Sequence, residues 1–386
     1  MRATFDVMAS RDVEPQATLH KRGPGRARSS PSAHVPLLCA VAVATALVAA
    51  AAAQAGPSRR LDVPSSSQIS RAAVPIVDRE VPATSLGAVA PAGYWGGEYR
   101  TAAGEAVTIY ASNSYPVDPA LGQRWANFLG SLIHGPEIST VTVLLATPAQ
   151  IGRFCGADAV ACYSPQGAVL YTPGEDPSSD LSAEAVITHE YGHHVAASRT
   201  NRPWTALDTG PKRWASVMQV CARTRSGELF PGAEDPNHYT LNPGEGWAET
   251  YRVLNEREAG IPEAPWQIVT QALYPTAAAL TAAEQDVTNP WQAGTATTQT
   301  AALSLTRKTR TFTVATQLDG TVKMTLKHSA RMRLSVDVFA SSTRAAHVVS
   351  AGVVSRTLTA CGARSYRFRV TDLAGRGSVS LTVAKP

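Results

Sequence analysis

Apolar positions follow three different patterns along this chain. Residues 35–53 form one unbroken apolar run. From about residue 98 short β-branched runs come first, and apolar residues spaced three and four apart follow them. Beyond residue 294 apolar and polar residues alternate, as they do in half-buried strands. The chain therefore contains three kinds of segment with different folding tendencies.

The middle segment, 98–294, predicts strands first and helices afterwards. The predicted strands are 107–110, 139–146 and 167–172. Apolar residues at helical spacing predict a first helix over 119–134. Cap residues and Pro or Gly breaks bound four further predicted helices, at 182–199, 211–225, 244–257 and 262–273. This order is typical of an α+β domain.

The last segment, 295–386, predicts short strands separated by Gly-containing turns. They cover 311–314, 322–326, 334–339, 365–370 and 378–383. Short alternating strands with regular turns are typical of a small sandwich. The expected fold class is thus an α+β domain followed by an all-β sandwich.

The first segment, 1–55, has the pattern of a secretory signal peptide. Basic residues precede the apolar run, and the run ends in Ala53-Gln54-Ala55, a small-x-small cleavage pattern. An uncleaved membrane anchor is the alternative, since a run of this length can just cross a bilayer. Residues 56–97, rich in Pro, Ser and Ala, are predicted to be a linker or propeptide. We therefore expect a secreted or envelope-associated protein, held in a membrane only if the signal stays uncleaved.

Cysteine usage agrees with export. Cleavage after residue 55 would leave four cysteines, and an even number in an exported chain favours two disulfides. Cys155 with Cys162 and Cys221 with Cys361 is one of the three possible pairings. Free buried thiols are the alternative.

The net charge of +5 conceals a strong asymmetry. Residues 1–55 carry +3, residues 56–294 carry −9 and residues 295–386 carry +11. The basic tail could bind an anionic cell-envelope polymer, dock on the acidic middle segment, or be a solvated surface. Nucleic acid is disfavoured, because export removes the usual partner and few aromatic residues interleave the basic ones.

The sequence His189-Glu190-Tyr191-Gly192-His193 carries the clearest chemical signal. Four residues make about one helical turn, so both imidazoles project from one helix face and can bind one cation. Glu190 lies beside them, where it can act on a water. Two imidazoles with one further ligand leave an open position on Zn²⁺, as a catalytic site requires. His194 points away from this face and is predicted to be a structural or surface residue.

The third ligand must come from elsewhere, because Arg199 stands where a third histidine would follow in the longer zinc pattern. Glu245 and Glu249, one helical turn apart, are the candidates. One carboxylate can bind the metal while the other accepts an imidazole N–H and fixes the tautomer. Glu245 as ligand with Glu249 behind it is preferred, and the reverse assignment is the alternative.

These two motifs together resemble the gluzincin metallopeptidases, and within them the minimal-zincin catalytic domain of the anthrax lethal factor type. The resemblance implies zinc ligands at His189, His193 and Glu245, a general base at Glu190 and an outer-shell carboxylate at Glu249. It also implies an oxyanion-stabilising tyrosine at Tyr239. The spacing of this tyrosine differs slightly from the pattern, so His238 is a competing candidate and a buried structural tyrosine is another interpretation.

The expected function is a secreted zinc endopeptidase acting on protein or peptide. The alternatives are a non-catalytic envelope-binding protein on a peptidase fold and a zinc amidase acting on cell-wall peptide. Segment 295–386 resembles the bacterial pre-peptidase C-terminal type of β-sandwich found on secreted peptidases.

Overall fold

The computed structural model describes residues 90–265, 269–362 and 364–386. The predictions for the signal peptide 1–55 and for 56–89 of the linker lie outside the described residues. All that follows concerns the compact unit Arg59–Pro386. The first strand begins at Tyr94, before the boundary expected at residue 98.

A five-stranded mixed sheet opens the described chain. Its strands are β1 (Tyr94–Arg100), β2 (Ala106–Ser112), β3 (Thr142–Ala146), β4 (Cys162–Ser164) and β5 (Val169–Pro173), arranged in the order β1-β2-β3-β5-β4. The central pairs β2–β3 and β3–β5 are parallel, and the outer pairs are antiparallel. The three predicted strands correspond to β2, β3 and β5, while β1 and β4 were not predicted.

Two helices accompany this sheet, α1 (Pro119–Ser131) and α2 (Pro148–Cys155). Both begin with proline, whose missing N–H costs nothing at a helix start. Asp118 caps α1 by accepting a hydrogen bond from the backbone N–H of Ala120. The predicted helix 119–134 is therefore confirmed and ends slightly earlier than expected.

The remaining helices are α3 (Ala183–Ala197), α4 (Ala206–Thr209), α5 (Lys212–Val217), α6 (Val220–Arg225), α7 (Pro243–Ala259) and α8 (Ala277–Thr288), with short 3₁₀ helices at Pro136–Thr140, Tyr239–Leu241 and Gln271–Leu273. The predicted helix 211–225 is broken, because Gln219 adopts a left-handed conformation with φ of 57°. The predicted helix 262–273 is wrong. Its described residues contain a 3₁₀ turn at Gln271–Leu273, and Pro265 lacks the N–H that a helix begun at Pro262 would need at that position.

The all-β region contains two four-stranded antiparallel sheets. One has the order β13-β10-β15-β8 and the other β12-β11-β14-β9, from strands β8 (Thr295–Leu303), β9 (Thr309–Thr316), β10 (Gly320–His328), β11 (Arg333–Ala340), β12 (Thr343–Ser350), β13 (Val354–Ala360), β14 (Arg364–Ala374) and β15 (Gly377–Lys385). Inward residues from both sheets form one apolar core. An α+β region followed by an all-β sandwich is thus the observed architecture, as predicted.

Two disulfides are present, Cys155–Cys162 and Cys221–Cys361, which confirms the expected pairing. The second links α6 to the sandwich. Disulfides of this kind fit a secreted or extracellular protein.

Polar contacts accompany this link between the two regions. The Lys212 ammonium donates to the carbonyl oxygens of Arg202 at 2.7 Å and Asp319 at 2.9 Å. The Ser216 hydroxyl accepts from the Asp319 N–H at 2.9 Å.

Among the described residues, no helix is both long and apolar enough to span a membrane.

Candidate metal centre

Helix α3 holds the histidine pair at the centre of the fold. Ser182 caps it, accepting a hydrogen bond from the N–H of Ala185 at 3.1 Å. Nearly all of its residues are buried, so the pair lies inside the protein and not on a solvent-exposed stripe. His189 and His193 are 3% and 2% exposed, which shields a bound ion from bulk water.

Helix α7 lies across α3 and brings the carboxylates to the same place. Asn242 caps it, and Pro243 occupies its first position. The helices meet closely at Gly192, where an added Cβ would lie 2.9 Å from the Cα of Ala248. The Trp247 indole N–H donates to the Gly192 carbonyl at 2.8 Å across this crossing. Only glycine at position 192 allows the two helices to approach so closely.

Three donor atoms converge at this crossing. His189 Nε2 lies 3.3 Å from Glu245 Oε2 and 3.2 Å from His193 Nε2, and the third side of the triangle is 3.4 Å. A tetrahedral zinc ion with ligand distances of about 2.0–2.1 Å holds its ligand atoms about 3.3–3.4 Å apart. The buried group His189, His193 and Glu245 could therefore bind a metal ion of this size.

The hydrogen bonding around His189 also favours a cation. Its Nδ1–H donates to Glu249 Oε1 at 2.9 Å, so Nε2 carries a lone pair in the neutral ring. That lone pair faces the Glu245 carboxylate, which is another acceptor. Two facing acceptors in a buried site repel each other unless a positive charge lies between them. A divalent ion at the centre of the triangle would remove this conflict.

Glu249 is itself held by a second buried layer. The Arg252 guanidinium donates to both of its oxygens, at 3.0 and 2.7 Å, and to Glu256 Oε2 at 2.7 Å. Burial alone would raise the pKa of the Glu249 carboxyl, but the positive charge of Arg252 and the hydrogen bond from His189 hold it at about 2. Glu249 therefore stays ionised and keeps the His189 ring in one tautomer.

Arg252 was not assigned a role from the sequence. It follows Glu249 by three positions, so the two lie on one helix face, and this spacing was the available signal. The sequence does not reveal that this face is buried.

The other predicted residues take different positions. Glu190 is buried on α3, directly after His189. Tyr239 is buried in the 3₁₀ helix before α7, within the main apolar core. The His238 side chain is 40% exposed, hydrogen bonds to Asp235 at 3.0 Å and packs on Phe230. His238 therefore contacts Asp235 and Phe230 near the protein surface.

His194 is a buried structural residue on the opposite side of α3. Its Nε2 donates to the Glu137 carbonyl at 2.9 Å, and its Nδ1 accepts from the Tyr163 hydroxyl at 3.1 Å. Burial lowers the pKa of the His194 ring, so the neutral form is favoured. Its role is to anchor α3 against the sheet and the loop before β3.

No protein-family model matches this chain, and no curated protein matches it. It is similar to several solved structures, three of them over less than a quarter of its length. The pre-peptidase C-terminal domain of collagenase from Bacillus anthracis is 15% identical, with 22% of this chain and 87% of that chain covered and a TM-score of 0.21. The Yersinia pseudotuberculosis-derived mitogen is 7% identical, with 24% and 87% covered and a TM-score of 0.20. The periplasmic inhibitor of g-type lysozyme PliG from Aeromonas hydrophila is 13% identical, with 24% and 85% covered and a TM-score of 0.18. Likenesses this weak carry no argument, so the function is argued from the residues of the site.

Proposed function

We propose that this chain is a secreted zinc-dependent endopeptidase. The observation that supports the proposal best is the buried triangle of His189 Nε2, His193 Nε2 and Glu245 Oε2, whose sides match the ligand spacing of tetrahedral zinc. Two imidazoles and one carboxylate leave a fourth position for water or substrate, which distinguishes a catalytic site from a structural one.

Each residue near the triangle has a defined task in this proposal. His189, His193 and Glu245 would hold the ion, which when bound would lower the pKa of a water towards about 7 and polarise a carbonyl. The Glu190 carboxylate would take the proton of the attacking water and then deliver it to the nitrogen of the leaving amine. Glu249 would keep the His189 ring oriented by accepting its Nδ1–H.

The developing oxyanion would also need a hydrogen-bond donor from the protein. We propose the Tyr239 hydroxyl for this task and keep His238 as the competing donor. Loss of one such donor costs about 3–4 kcal/mol in comparable sites. Tyr239→Phe should therefore lower kcat much more than it changes KM, whereas His238→Gln should leave both nearly unchanged.

The proposal is tested by Glu190→Gln with Glu184→Gln as its matched control. Both residues lie on α3, but Glu184 is exposed in the first turn. Zinc content would be measured by mass spectrometry on the secreted protein, and hydrolysis with a peptide library with and without a chelator. We expect both variants to bind one equivalent of zinc, and Glu190→Gln alone to lose nearly all cleavage.

Three results would contradict the proposal. Turnover by Glu190→Gln at the wild-type rate would show that Glu190 is not the general base. Stoichiometric zinc without cleavage of any peptide would favour a non-catalytic envelope-binding protein. Cleavage restricted to cell-wall stem peptides would favour a zinc amidase.

A further inference from the structure

The charged residues of the sandwich, 295–386, differ sharply in exposure according to their sign. Its three side-chain carboxylates, those of Asp319, Asp337 and Asp372, are all buried. Its 14 Lys and Arg residues are all exposed or half-exposed. The side chains of the sandwich surface therefore offer positive charge with almost no exposed carboxylate to neutralise it.

The two outer sheet faces differ in the kind of cation they carry. On the sheet β13-β10-β15-β8, the outward residues of β10 include Lys323 and Lys327 among Thr and Ser neighbours. On the sheet β12-β11-β14-β9, the outward cations are arginines, Arg333, Arg344, Arg367 and Arg369. We call this second surface the arginine face. Arginine forks bind oxyanions bidentately, whereas lysine acts as a point charge.

The arginine face is ordered by its own contacts. Strand register places Arg367 opposite Phe339 and Arg369 opposite Asp337. Both guanidiniums lie over the Phe339 ring, at 5.3 and 5.4 Å from its centroid. Asp337 accepts from Arg369 at 2.8 Å and from His347 at 2.8 Å. Such contacts fix the guanidiniums before any partner arrives, which lowers the entropy cost of binding.

The α+β region does not cover this surface. Its recorded bonds to the sandwich run through Asp319 and Cys361, in the loops after β9 and after β13. The side chains of Arg344 and Arg369 remain 60% and 51% exposed. The face is thus open to solvent in the folded chain.

We infer that the arginine face binds a linear phosphodiester polymer outside the cell. A planar carboxylate engages one guanidinium fork, as Asp337 does with Arg369. A phosphodiester has two non-bridging oxygens that point apart and can link the guanidiniums of Arg367 and Arg369, which lie over the same Phe339 ring. A polymer can extend from this pair to Arg344, which lies on the far side of β11 opposite Phe339, and each contact releases counterions.

Other occupants fit the face less well. A second copy of this chain would bring acidic surface, but stable protein interfaces have a core depleted of charge, and this face is rich in it. Nucleic acid binding without base readout uses aromatic rings as stacking platforms, and the Phe339 ring already lies beneath two guanidiniums. The inference does not depend on the proposed peptidase activity.

The test uses the full chain and fluorescent poly(glycerol phosphate), with binding followed by anisotropy between 50 and 200 mM salt, roughly the range over which phosphate contacts are lost. Arg344→Gln combined with Arg367→Gln removes two charges from the arginine face. Lys323→Gln combined with Lys327→Gln removes the same charge from the opposite face. We expect the arginine pair to lose at least about tenfold in affinity and to lower the salt slope by about 1.4, and the lysine pair to lose less than about twofold.

A charge-preserving variant separates guanidinium geometry from charge. Arg344→Lys with Arg367→Lys should recover less than half of the lost affinity, and thermal unfolding of all variants should match the wild type. Equal losses in the two glutamine pairs would overturn the inference, as would full recovery by lysine. Tighter binding to polyglutamate, to single-stranded DNA or to anionic lipid vesicles than to the phosphate polymer would overturn it as well, and so would salt-sensitive self-association without polymer binding.

Discussion

Replacing Arg252 with methionine tests whether the buried layer behind the candidate metal site holds the α+β region together. The Arg252 side chain is 2% exposed and joins two buried carboxylates, Glu249 and Glu256. Methionine fills a similar volume but leaves both carboxylates without their cation. Removing one partner of a buried ion pair costs about 3–5 kcal/mol, because the remaining charge stays buried and uncompensated.

The pKa of Glu249 gives a second route to the same magnitude. Its folded value of about 2 lies below the ordinary value of 4.5. A depressed carboxyl pKa contributes stability that is present above the unfolded value and is lost as the pH falls through the folded value. A difference of this size corresponds to about 3 kcal/mol near neutral pH. The difference in free energy of unfolding between wild type and Arg252→Met should therefore narrow as the pH falls from about 4.5 towards 2, the window between the two pKa values.

Urea unfolding followed by tryptophan fluorescence measures this effect in the right region. None of the seven tryptophans lies in 295–386, so the signal does not report unfolding of the sandwich. A chelator in every sample removes any contribution from bound metal. Arg257→Met is the control, because Arg257 lies on the same helix and pairs with Glu263, whose side chain is 23% exposed.

The control should lose about 1 kcal/mol, as partly exposed ion pairs do. The reasoning fails if Arg252→Met loses no more stability than Arg257→Met at neutral pH. It fails equally if the gap between Arg252→Met and the wild type does not change with pH.

Three further predictions concern other parts of the fold. Replacing both cysteines of Cys221–Cys361 with serine should lower the free energy of unfolding by about 5 kcal/mol, and the same change at Cys155–Cys162 by about 2 kcal/mol, because the two disulfides close loops of very different length. Urea unfolding measures both losses. Equal losses would show that loop entropy is not the cause. Gly192→Ala should lower the free energy of unfolding by about 1–3 kcal/mol and weaken zinc binding, because the added methyl group separates α3 from α7. Gly97→Ala is the control, since Gly97 has open space around it and its substitution should change neither quantity. Zinc affinity would be measured by titration against a competing chelator. Hydrogen bonds from Arg369 and His347 lower the pKa of Asp337 below its ordinary value of 3.8, so its contribution to the stability of the sandwich is present above pH 3.8 and is lost as the pH falls further. In Asp337→Asn the melting temperature of the sandwich, measured by circular dichroism, should therefore depend less on pH in this acidic range.

The sequence was most informative where a local spacing determines the geometry. Two histidines four apart and two glutamates four apart each define one helix face, whatever the rest of the chain does. What brings the two faces together is the crossing of α3 and α7 at Gly192, which depends on tertiary packing. The sequence could therefore predict that both pairs exist, but it could not predict how close the histidine pair and the glutamate pair lie in space.

The missed strands of the sandwich share a physical reason. Three of the four edge strands of the sandwich, β8, β12 and β13, were not predicted, because an edge strand packs on fewer neighbours and shows weaker alternation. The break at Gln219 has no Gly or Pro to indicate it, because a glutamine rarely adopts the left-handed conformation found there.

The contacts that join the two regions explain why the overall charge says little about how they associate. A net of −9 in 56–294 and +11 in 295–386 suggests electrostatic docking. The observed link instead uses a disulfide, a hydroxyl and an ammonium bound to carbonyl oxygens. Such buried, short-range contacts are screened little by salt, whereas exposed arginines are screened strongly. Salt that releases an anionic polymer from the arginine face should therefore leave the sandwich attached to the α+β region, and the protein should leave the polymer as one body.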